Sequence, residues 1–397
     1  MFETLTAAPP DKIIALMGQF REDPRPGKID LGVGVYKDAK GNTPIMAAVR
    51  EAEKLLYERQ STKTYVGMAG DPLFNAAMIG LVFGKDADRG RIRAAQAPGG
   101  SGALRILAEL IARAKPGATV WLSDPTWPNH VPLIRAAGVT TKEYPYFDAA
   151  TGMVRFDAMM EALRKAAPGD IVMLHGCCHN PTGANLDHGQ WEAVADLLVS
   201  RGLFPFIDLA YQGFGDGLEE DAFGVRLLAS RVPEMAVAAS CSKNFAVYRD
   251  RVGTAFLLGK GSAEADIAYS QLLSVARGMY SMPPDHGAAA IRIILEDKDL
   301  TASWKEELET MRRRMVSLRE GFADALRRQS NSDRFDFIAR HRGMFSRIGA
   351  TPQQVEKLRS EYGVYMVGDS RINVAGLPED RLDTLAASII SVMGEAV

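Results

Sequence analysis

The chain has 397 residues, 47% of them hydrophobic and 24% charged, which predicts a globular protein with more than one domain. Its 47 basic and 49 acidic side chains give a formal net charge of −2, so no charge surplus indicates nucleic acid as a partner. No apolar stretch is long enough to cross a bilayer, which argues against a membrane-spanning helix.

The first part of the chain predicts helices separated by segments rich in glycine and proline. Residues 1–10 lack the basic region and the long apolar run of a signal peptide. Helices are predicted at 11–20, entered through Pro9 and Pro10, and at 44–57. A third helix is predicted to begin with Asp71 as its N-cap and Pro72 in its first turn.

From about residue 96, predicted strands and helices alternate, which is typical of a largely parallel sheet with helices on both faces. The helices have apolar residues at helical spacing, and the strands are short apolar runs. Strands are predicted at 94–97, 119–122, 141–146, 171–174, 203–207, 235–239 and 253–258, and helices at 102–114, after 128, at 156–165 and at 187–200.

After residue 284 the pattern changes to that of an α+β segment. A long helix is predicted at 300–328 and a closing helix from 378, with short strands between them at 334–338, 344–348, 365–367 and 372–374. The sequence therefore predicts an α/β protein with one large domain and one smaller domain.

A glycine-rich segment, Gly99 to Gly102, follows a predicted strand and opens a helix. Free N–H groups at a helix start bind anions, and glycines let the backbone approach a phosphate closely. The segment matches neither the dinucleotide fingerprint nor the P-loop. A phosphate site and a plain tight turn fit it equally well.

Polar residues follow several predicted strands at the edge where open α/β sheets bind ligands. Asp208 ends one strand, and a half-buried carboxylate there needs a cationic partner such as a protonated ring nitrogen. Trp127 follows another strand, and its indole can stack on a flat ring. Each residue also has a structural alternative, since Asp208 can cap a turn and Trp127 can fill the core.

Two adjacent cysteines, Cys177 and Cys178, lie between His175 and His179. Adjacent cysteines rarely reach one ion together, and no second cysteine pair exists, so we predict no metal site. Together with Cys241 they fit small apolar fillers in a reducing compartment, and we predict a cytoplasmic location.

Lys243 follows an apolar strand and is flanked by small polar residues. Burial favours the neutral amine, which is the nucleophile that forms Schiff bases with carbonyl compounds. A lone lysine at such a place more often extends to the surface. Arg277 and Arg371 offer forks for binding carboxylates, although surface ion pairs are the commoner role of arginine.

Together these residues form the set that a pyridoxal phosphate enzyme needs. The segments 175–183, 208–211, 240–251 and 370–376 match, in order and spacing, those of class I (fold-type I) aminotransferases of the aspartate/aromatic amino acid branch. The chain resembles that family over nearly its whole length. The resemblance implies a mostly parallel seven-stranded sheet flanked by helices in a large domain (44–309), a smaller α+β domain (1–43 and 310–397), pyridoxal 5′-phosphate as cofactor, and a homodimer with shared active sites.

The resemblance also implies a role for each site residue. Lys243 would bind the cofactor and then move the substrate proton, and Asp208 would pair with the ring nitrogen, with His130 behind it and His175 nearby. The other cofactor contacts would be Tyr211 and Asn180 to the 3′-oxygen, Trp127 to the ring face, and Gly100, Ser101, Ser240, Ser242, Arg251 and the neighbouring subunit's Tyr65 to the phosphate. Substrate would meet Arg371 at its α-carboxylate, Arg277 of the other subunit at a second carboxylate, and Gly34, Trp127, Asn180 and Phe345 as pocket walls.

Substrate preference is harder to predict. Val35, Lys37 and Thr43 resemble the aspartate-preferring members, whereas Ser101 and Met282 replace the threonine and asparagine usual in them. We predict transamination of aromatic amino acids (Phe, Tyr, Trp) and of aspartate and glutamate, with 2-oxoglutarate or oxaloacetate as acceptor. The alternatives are an aspartate aminotransferase with little aromatic activity, and a β-lyase or decarboxylase that uses the same lysine.

Overall fold

The structure, a computed structural model, describes residues 1–8 and 11–394, so Pro9, Pro10 and 395–397 lie outside the described residues. The strands found there are β1 (Ile29–Asp30), β2 (Ile92–Pro98), β3 (Thr119–Asp124), β4 (Thr140–Pro145), β5 (Phe147–Asp148), β6 (Met153–Val154), β7 (Ile171–His175), β8 (Phe204–Leu209), β9 (Met235–Ser240), β10 (Val252–Leu258), β11 (Phe345–Arg347), β12 (Val364–Tyr365) and β13 (Arg371–Asn373). The α-helices are α1 (Lys12–Glu22), α2 (Ala47–Arg59), α3 (Pro72–Phe83), α4 (Gly99–Ala114), α5 (His130–Arg135), α6 (Phe156–Leu163), α7 (His188–Arg201), α8 (Phe223–Arg231), α9 (Ser262–Met279), α10 (His286–Glu296), α11 (Lys298–Ser330), α12 (Phe337–Arg340), α13 (Pro352–Tyr362) and α14 (Leu382–Met393).

Seven strands form one sheet in the order β2-β10-β9-β8-β7-β3-β4. Neighbouring strands are parallel except for β10, which is antiparallel to both β2 and β9. Strands β9 and β10 are buried along their whole length, as expected for strands that are covered on both faces. The predicted mostly parallel, seven-stranded sheet is therefore confirmed.

The strand directions bring one set of loops together at the carboxyl edge of the sheet. Strands β3, β7, β8 and β9 all end there, and the antiparallel β10 begins there. The register places His175 beside Asp208, and Ser240 beside Gly253. Loops that carry residues from distant parts of the sequence therefore meet along one edge.

Short two-stranded sheets lie outside the seven-stranded one, and one of them joins the two ends of the chain. Strand β1 pairs in parallel with β12, and β11 pairs antiparallel with β13. Helix α11 has 33 residues and passes the predicted domain boundary at 309/310 without a break. The described helices include none that is long and apolar enough to cross a membrane.

One predicted strand, at 334–338, is wrong. Residues 334–336 form turns, in which Asp336 N–H donates to Asp333 O, and α12 begins at Phe337, where Ile338 N–H donates to Phe335 O. Phe335, Phe337 and Ile338 are all buried. Turns and the first residues of a helix thus bury the apolar side chains for which the sequence predicts a strand.

Candidate active site

Lys243 lies in the turn that follows β9, at the carboxyl edge of the sheet. Its Nζ is 5.1 Å from the centroid of the Tyr211 ring. Burial lowers the pKa of Lys243 to about 8, an effect that Arg251 reinforces and Asp208 opposes. Near neutral pH the amine is therefore much closer to its neutral, nucleophilic form than an exposed lysine.

Asp208 lies in β8 on the same edge and is held by a histidine. His130 Nε2–H donates to Asp208 Oδ2 at 3.0 Å, since a carboxylate can only accept. Burial acts to raise the pKa of Asp208, but the His130 hydrogen bond and nearby positive charge, including Lys243, hold it below its ordinary value. The site thus contains an ionised carboxylate beside a lysine amine.

A short row of imidazoles extends behind Asp208. The Thr126 hydroxyl lies 2.8 Å from His130 Nδ1 and 3.2 Å from His175 Nε2, so one side chain links both rings. The His130 and His175 ring centroids are 5.1 Å apart. This arrangement fixes the orientation of the ring that holds Asp208.

His179 continues the row and is not among the site residues predicted from the sequence. Its ring centroid is 4.1 Å from that of His175, its Nε2 is 3.0 Å from Ser123 Oγ and its Nδ1 is 2.9 Å from Thr182 Oγ1. Burial lowers the pKa of His179 and lowers that of His175 to about 3, so both rings are neutral. His179 therefore anchors the turn that carries Asn180, and its spacing from His175 was the available signal.

The glycine-rich segment begins α4 beside the loop that precedes β10. Gly99 has a φ of +71°, and a Cβ there would lie 2.5 Å from Arg251 Nη2. A Cβ on Gly100 would lie 3.0 Å from Ser240 Cβ. Both positions therefore require close approach of the backbone to these side chains.

Hydroxyl and amide groups complete this corner. Ser101 lies in the first turn of α4, and Ser242 N–H donates to Ser240 Oγ at 3.2 Å. Helix-start N–H groups, serine hydroxyls and the Arg251 guanidinium are the donors that a phosphate accepts. These groups lie together although they come from residues about 150 positions apart in the sequence.

Arg371 is a buried guanidinium at the start of β13. Its Nη1 donates to Asn180 Oδ1 at 3.3 Å and its Nη2 to Gly32 O at 3.0 Å, while its buried Nε has no partner within the described residues. Burial lowers the pKa of Arg371, but a guanidinium keeps its proton in proteins, so the side chain stays charged. A buried charge with an unused donor is suited to a ligand carboxylate.

Aromatic rings line the space between Arg371 and Lys243. The Arg371 guanidinium lies 4.4 Å from the Phe345 ring centroid, and the Phe345 and Tyr211 rings meet edge-on at 6.1 Å. A Cβ on Gly34 would lie 3.2 Å from the Phe345 ring. Trp127 meets His130 edge-on at 5.3 Å, and burial raises the pKa of Tyr211.

Two predicted site residues lie apart from this group. Tyr65 is 90% exposed, and Arg277 is exposed at the end of α9, where it donates to Ser281 Oγ. Within the described part of the chain, neither makes a hydrogen bond to another predicted site residue. One chain alone thus brings together all the predicted site residues except these two.

Two other features lie outside the site. A cavity of about 760 Å³ opens at the opposite edge of the sheet, lined by Ile171, Phe204 and Met235 at the starts of their strands. Cys177, Cys178 and Asp221 place possible metal-ligand atoms within 4.8 Å of one another.

Asp221 already has another structural role. Its carboxylate accepts backbone N–H bonds from Gly213, Gly215 and Asp216, so it organises that loop. The hydrogen bond to Cys178 and burial raise the pKa of the Cys177 thiol, and burial raises that of Cys178, which disfavours the thiolates that metal binding needs. The polar site at the carboxyl edge is the better candidate for chemistry.

The groups at that edge fit pyridoxal phosphate. A lysine with a lowered pKa, an ionised buried Asp208 and a glycine-lined corner with Arg251 match its aldehyde, ring nitrogen and phosphate. The Arg371 Nε, which the described part of the chain leaves without a partner, matches a substrate carboxylate.

Comparisons with known proteins agree with this assignment. The family model for aminotransferase class I and II matches residues 26–389. The chain is 52% identical, over 99% of its length and 100% of the relative, to the aromatic-amino-acid aminotransferase of Paracoccus denitrificans. It is 45% identical, over 99% of its length and 100% of the relative, to the aspartate aminotransferase of Escherichia coli K12.

A solved structure extends the likeness to three dimensions. The crystal structure of an aromatic-amino-acid aminotransferase from Burkholderia pseudomallei, covalently bound to pyridoxal phosphate, superimposes with a TM-score of 0.97. The two sequences are 42% identical, and the match covers 99% of this chain and 100% of the other.

Proposed function

The protein belongs to the class I and II aminotransferases and depends on pyridoxal phosphate, and from this premise we propose that it transaminates aromatic amino acids. The proposed substrates are Phe, Tyr and Trp together with aspartate and glutamate, and the acceptors are 2-oxoglutarate and oxaloacetate. The observation that carries this proposal is a lysine of lowered pKa beside an ionised Asp208, near an Arg371 that has no carboxylate partner among residues 1–8 and 11–394.

We propose the following contacts for the cofactor. When bound, it supplies an electron sink that acidifies the α-carbon of the amino acid. Lys243 would hold it covalently, the Asp208 carboxylate would pair with its ring nitrogen, and Trp127 would stack on its ring. Asn180 and Tyr211 would contact its 3′-oxygen, and its phosphate would be held by Gly100, Ser101, Ser240, Ser242 and Arg251.

Lys243 has a second task once the amino acid is in place. Its amine takes the proton from the substrate Cα and later returns a proton, acting as general base and then as general acid. A pKa of about 8 suits both tasks, because the group then changes protonation near working pH. Arg371 orients the Cα–H by gripping the α-carboxylate, with Asn180 and Phe345 holding the guanidinium.

The proposed breadth of substrates depends on Arg277 and its neighbours. Arg277 pairs with a side-chain carboxylate when the substrate is aspartate or glutamate. Met282 takes the place of an asparagine that would tether this arginine, and methionine packs well against aromatic rings. The Arg277 side chain is exposed, so it has room to turn aside for an uncharged ring.

Two measurements test the proposal. We expect purified protein to exchange amino groups with phenylalanine, tyrosine and aspartate, with kcat/KM for each measured against 2-oxoglutarate. We also expect the absorbance band of bound pyridoxal phosphate to shift or disappear in Lys243→Ala. Negligible turnover of both aromatic substrates would leave the alternative, an aspartate aminotransferase, and release of ammonia or CO2 would indicate a lyase or decarboxylase.

We also propose that the enzyme is a homodimer in which Tyr65 and Arg277 serve the partner's site. Mixing Lys243→Ala chains with Arg277→Ala chains tests this, because each hybrid dimer would contain one site with both native residues. Unfolded together and refolded, the mixture should recover about one quarter of native activity toward aspartate. Activity no higher than that of the separate variants would contradict the shared site.

Two further proposals concern organisation and location. The domains are 44–309 and the combination of 1–43 with 310–397, which the pairing of β1 with β12 supports. A cytoplasmic location is supported by three cysteines that are all buried and free. Limited proteolysis and cell fractionation test these two proposals.

A further inference from the structure

We propose that Arg319 is a positioning residue for the substrate carboxylate. It fixes the segment that carries Phe345, and Phe345 in turn fixes the guanidinium of Arg371. This inference rests on the proposed function, since it assigns the effect to the α-carboxylate of an amino acid.

Arg319 is buried in α11 without an acidic partner among the described residues. Only 1% of it is exposed, yet all its hydrogen bonds go to oxygens of the segment 338–346. A buried guanidinium is costly unless its donors are all used. The bonds are Nη2 to Phe345 O (2.6 Å), Gly343 O (2.8 Å) and Arg342 O (3.4 Å), Nε to Gly343 O (3.2 Å), and Nη1 to Ile338 O (3.1 Å) and Ser346 Oγ (2.7 Å).

A chain of hydrogen bonds extends this anchor to a distant part of the sequence. His341 Nε2–H donates to Gly152 O at 2.7 Å, because a carbonyl can only accept. Burial lowers the pKa of His341 to about 3, so its other nitrogen is an acceptor. Ser346 O–H therefore donates to His341 Nδ1 at 3.0 Å while Ser346 Oγ accepts from Arg319.

The turn that carries Asn180 packs against the same anchor. Gly183 has a φ of +76°, and a Cβ there would lie 2.2 Å from Phe345 O and 3.3 Å from Arg319 Nη2. Arg342 N–H donates to Gly183 O at 3.0 Å. The Asn180 turn and the Phe345 segment thus meet at Arg319.

Those two segments hold two sides of Arg371. Asn180 Oδ1 accepts from its Nη1, and the Phe345 ring lies 4.4 Å from its guanidinium. A shift of the Phe345 carbonyl moves the ring, and misplacement by about 1 Å costs on the order of 100-fold in rate. Through these contacts Arg319 therefore influences how Arg371 binds the substrate carboxylate, although Arg319 does not touch the substrate.

The test compares Arg319→Lys with Arg313→Lys in the holoenzyme. Arg313 lies on the same helix, pairs with Glu309 and has a side chain that is 76% exposed, so it is a matched control. Lysine keeps the charge, but its compact ammonium group cannot donate to all the carbonyl oxygens that the Arg319 guanidinium reaches. For Arg319→Lys we expect kcat/KM for phenylalanine to fall about 10- to 100-fold and the Kd of 3-phenylpropanoate to rise by a comparable factor.

The retained cofactor and its absorbance should stay as in the native enzyme, and Arg313→Lys should match native in every measurement. The Kd of 3-phenylpropanoate also separates the two proposals, because it reports carboxylate binding even if the native enzyme fails to transaminate. Unchanged carboxylate binding in folded Arg319→Lys overturns the inference. An equal loss of cofactor retention and carboxylate binding also overturns it, since that is a general structural effect.

A milder variant keeps the inference testable if Arg319→Lys does not fold. Ser346→Ala removes one of the Arg319 acceptors and breaks the link to His341. We expect the Kd of 3-phenylpropanoate to rise about three- to tenfold in this variant, with native cofactor retention. A native Kd would overturn the inference.

Discussion

Lys243, Asp208 and Arg371 are charged residues whose pKa values are set by burial and by their neighbours. Burial lowers the pKa of Lys243 and Arg371, while the His130 hydrogen bond and nearby positive charge hold that of Asp208 down against burial. The Asp208 carboxylate thus stays charged, and the Lys243 amine is closer to its neutral form than the amine of an exposed lysine. These are the protonation states that proton transfer at a carbon acid needs.

The buried Lys243 should destabilise the apoprotein. Lysine titrates near 10.4 in an unfolded chain and at about 8 here, so the folded chain binds fewer protons between those values. The free energy of unfolding should therefore rise with pH across that window. Below about pH 8 the buried lysine destabilises the folded chain by its full amount. We expect Lys243→Met to stabilise the apoprotein by about 1–2 kcal/mol near neutral pH, and by less as pH rises above about 8.

Urea unfolding of the apoproteins measures this effect. Lys165→Met is the control, because the Lys165 side chain is 69% exposed and its replacement should change stability by less than about 0.5 kcal/mol. Equal stability of Lys243→Met and native apoprotein near neutral pH would show that the lysine is not strained there.

At this scale the sequence predicts some residues and not others for a physical reason. Asp208, near the end of a buried strand, and Lys243, just after one, each belong to a short local motif, so the sequence indicates both residues without the fold. His179 and Arg319 are not, because their roles depend on partners such as Ser123 and Gly343 that only tertiary packing brings to them.

At the scale of elements, the start of α4 is the feature most constrained by geometry. Gly100 lies in ordinary helical backbone, so only the close approach of Ser240 opposes a larger side chain. We expect Gly100→Ala to weaken cofactor binding about tenfold with a small effect on folding, because the added methyl group, 3.0 Å from Ser240 Cβ, displaces the groups that hold the phosphate.

Titration of the apoprotein with pyridoxal phosphate, followed by absorbance, measures that affinity. Gly18→Ala is the control, since a Cβ at Gly18 in α1 meets nothing within 4 Å. Native affinity in Gly100→Ala would remove this corner from the phosphate site.

The elements also show what sequence periodicity can and cannot predict. The strands of the large sheet were predictable because β9 and β10 are continuous apolar runs bounded by turn residues. The prediction of a strand at 334–338 is wrong because a short apolar segment does not distinguish a strand from turns that lead into a helix, and here those elements bury Phe335, Phe337 and Ile338. The antiparallel direction of β10 has no local signal, since it depends on how the chain returns to the sheet.

At the scale of the whole molecule, buried neutral histidines should set the acid limit of stability. Burial lowers the pKa of His175 and His341 to about 3, against about 6.5 in an unfolded chain. Below the unfolded value the unfolded chain binds more protons, so the free energy of unfolding falls as pH falls. Each histidine should contribute about 1.4 kcal/mol per pH unit between about pH 6.5 and 3.

Denaturant unfolding of native protein and His341→Gln across about pH 7 to 5 tests this. We expect the variant to be less stable near neutral pH but to lose stability less steeply toward acid, by about 1.4 kcal/mol per pH unit. His286→Gln is the control, because the His286 side chain is 58% exposed. Identical slopes for His341→Gln and native protein would contradict the assignment.

The chain described here builds most of the predicted site, and the exceptions have a common cause. Tyr65 and Arg277 are exposed, and within the described residues neither makes a hydrogen bond to Lys243. Sequence can predict their chemistry, whereas we propose that their geometry depends on a second copy of the chain.

The burial of all three cysteines makes the protein a convenient host for site-specific spectroscopic labels. Cys177, Cys178 and Cys241 are buried and free, so thiol reagents should not react with them in the native state. A single cysteine introduced at an exposed position, such as Glu58→Cys in α2, would then carry a spin label without prior removal of the native cysteines. Pulsed dipolar measurements on that variant would give the distance between labels across the proposed dimer and its change when substrate binds.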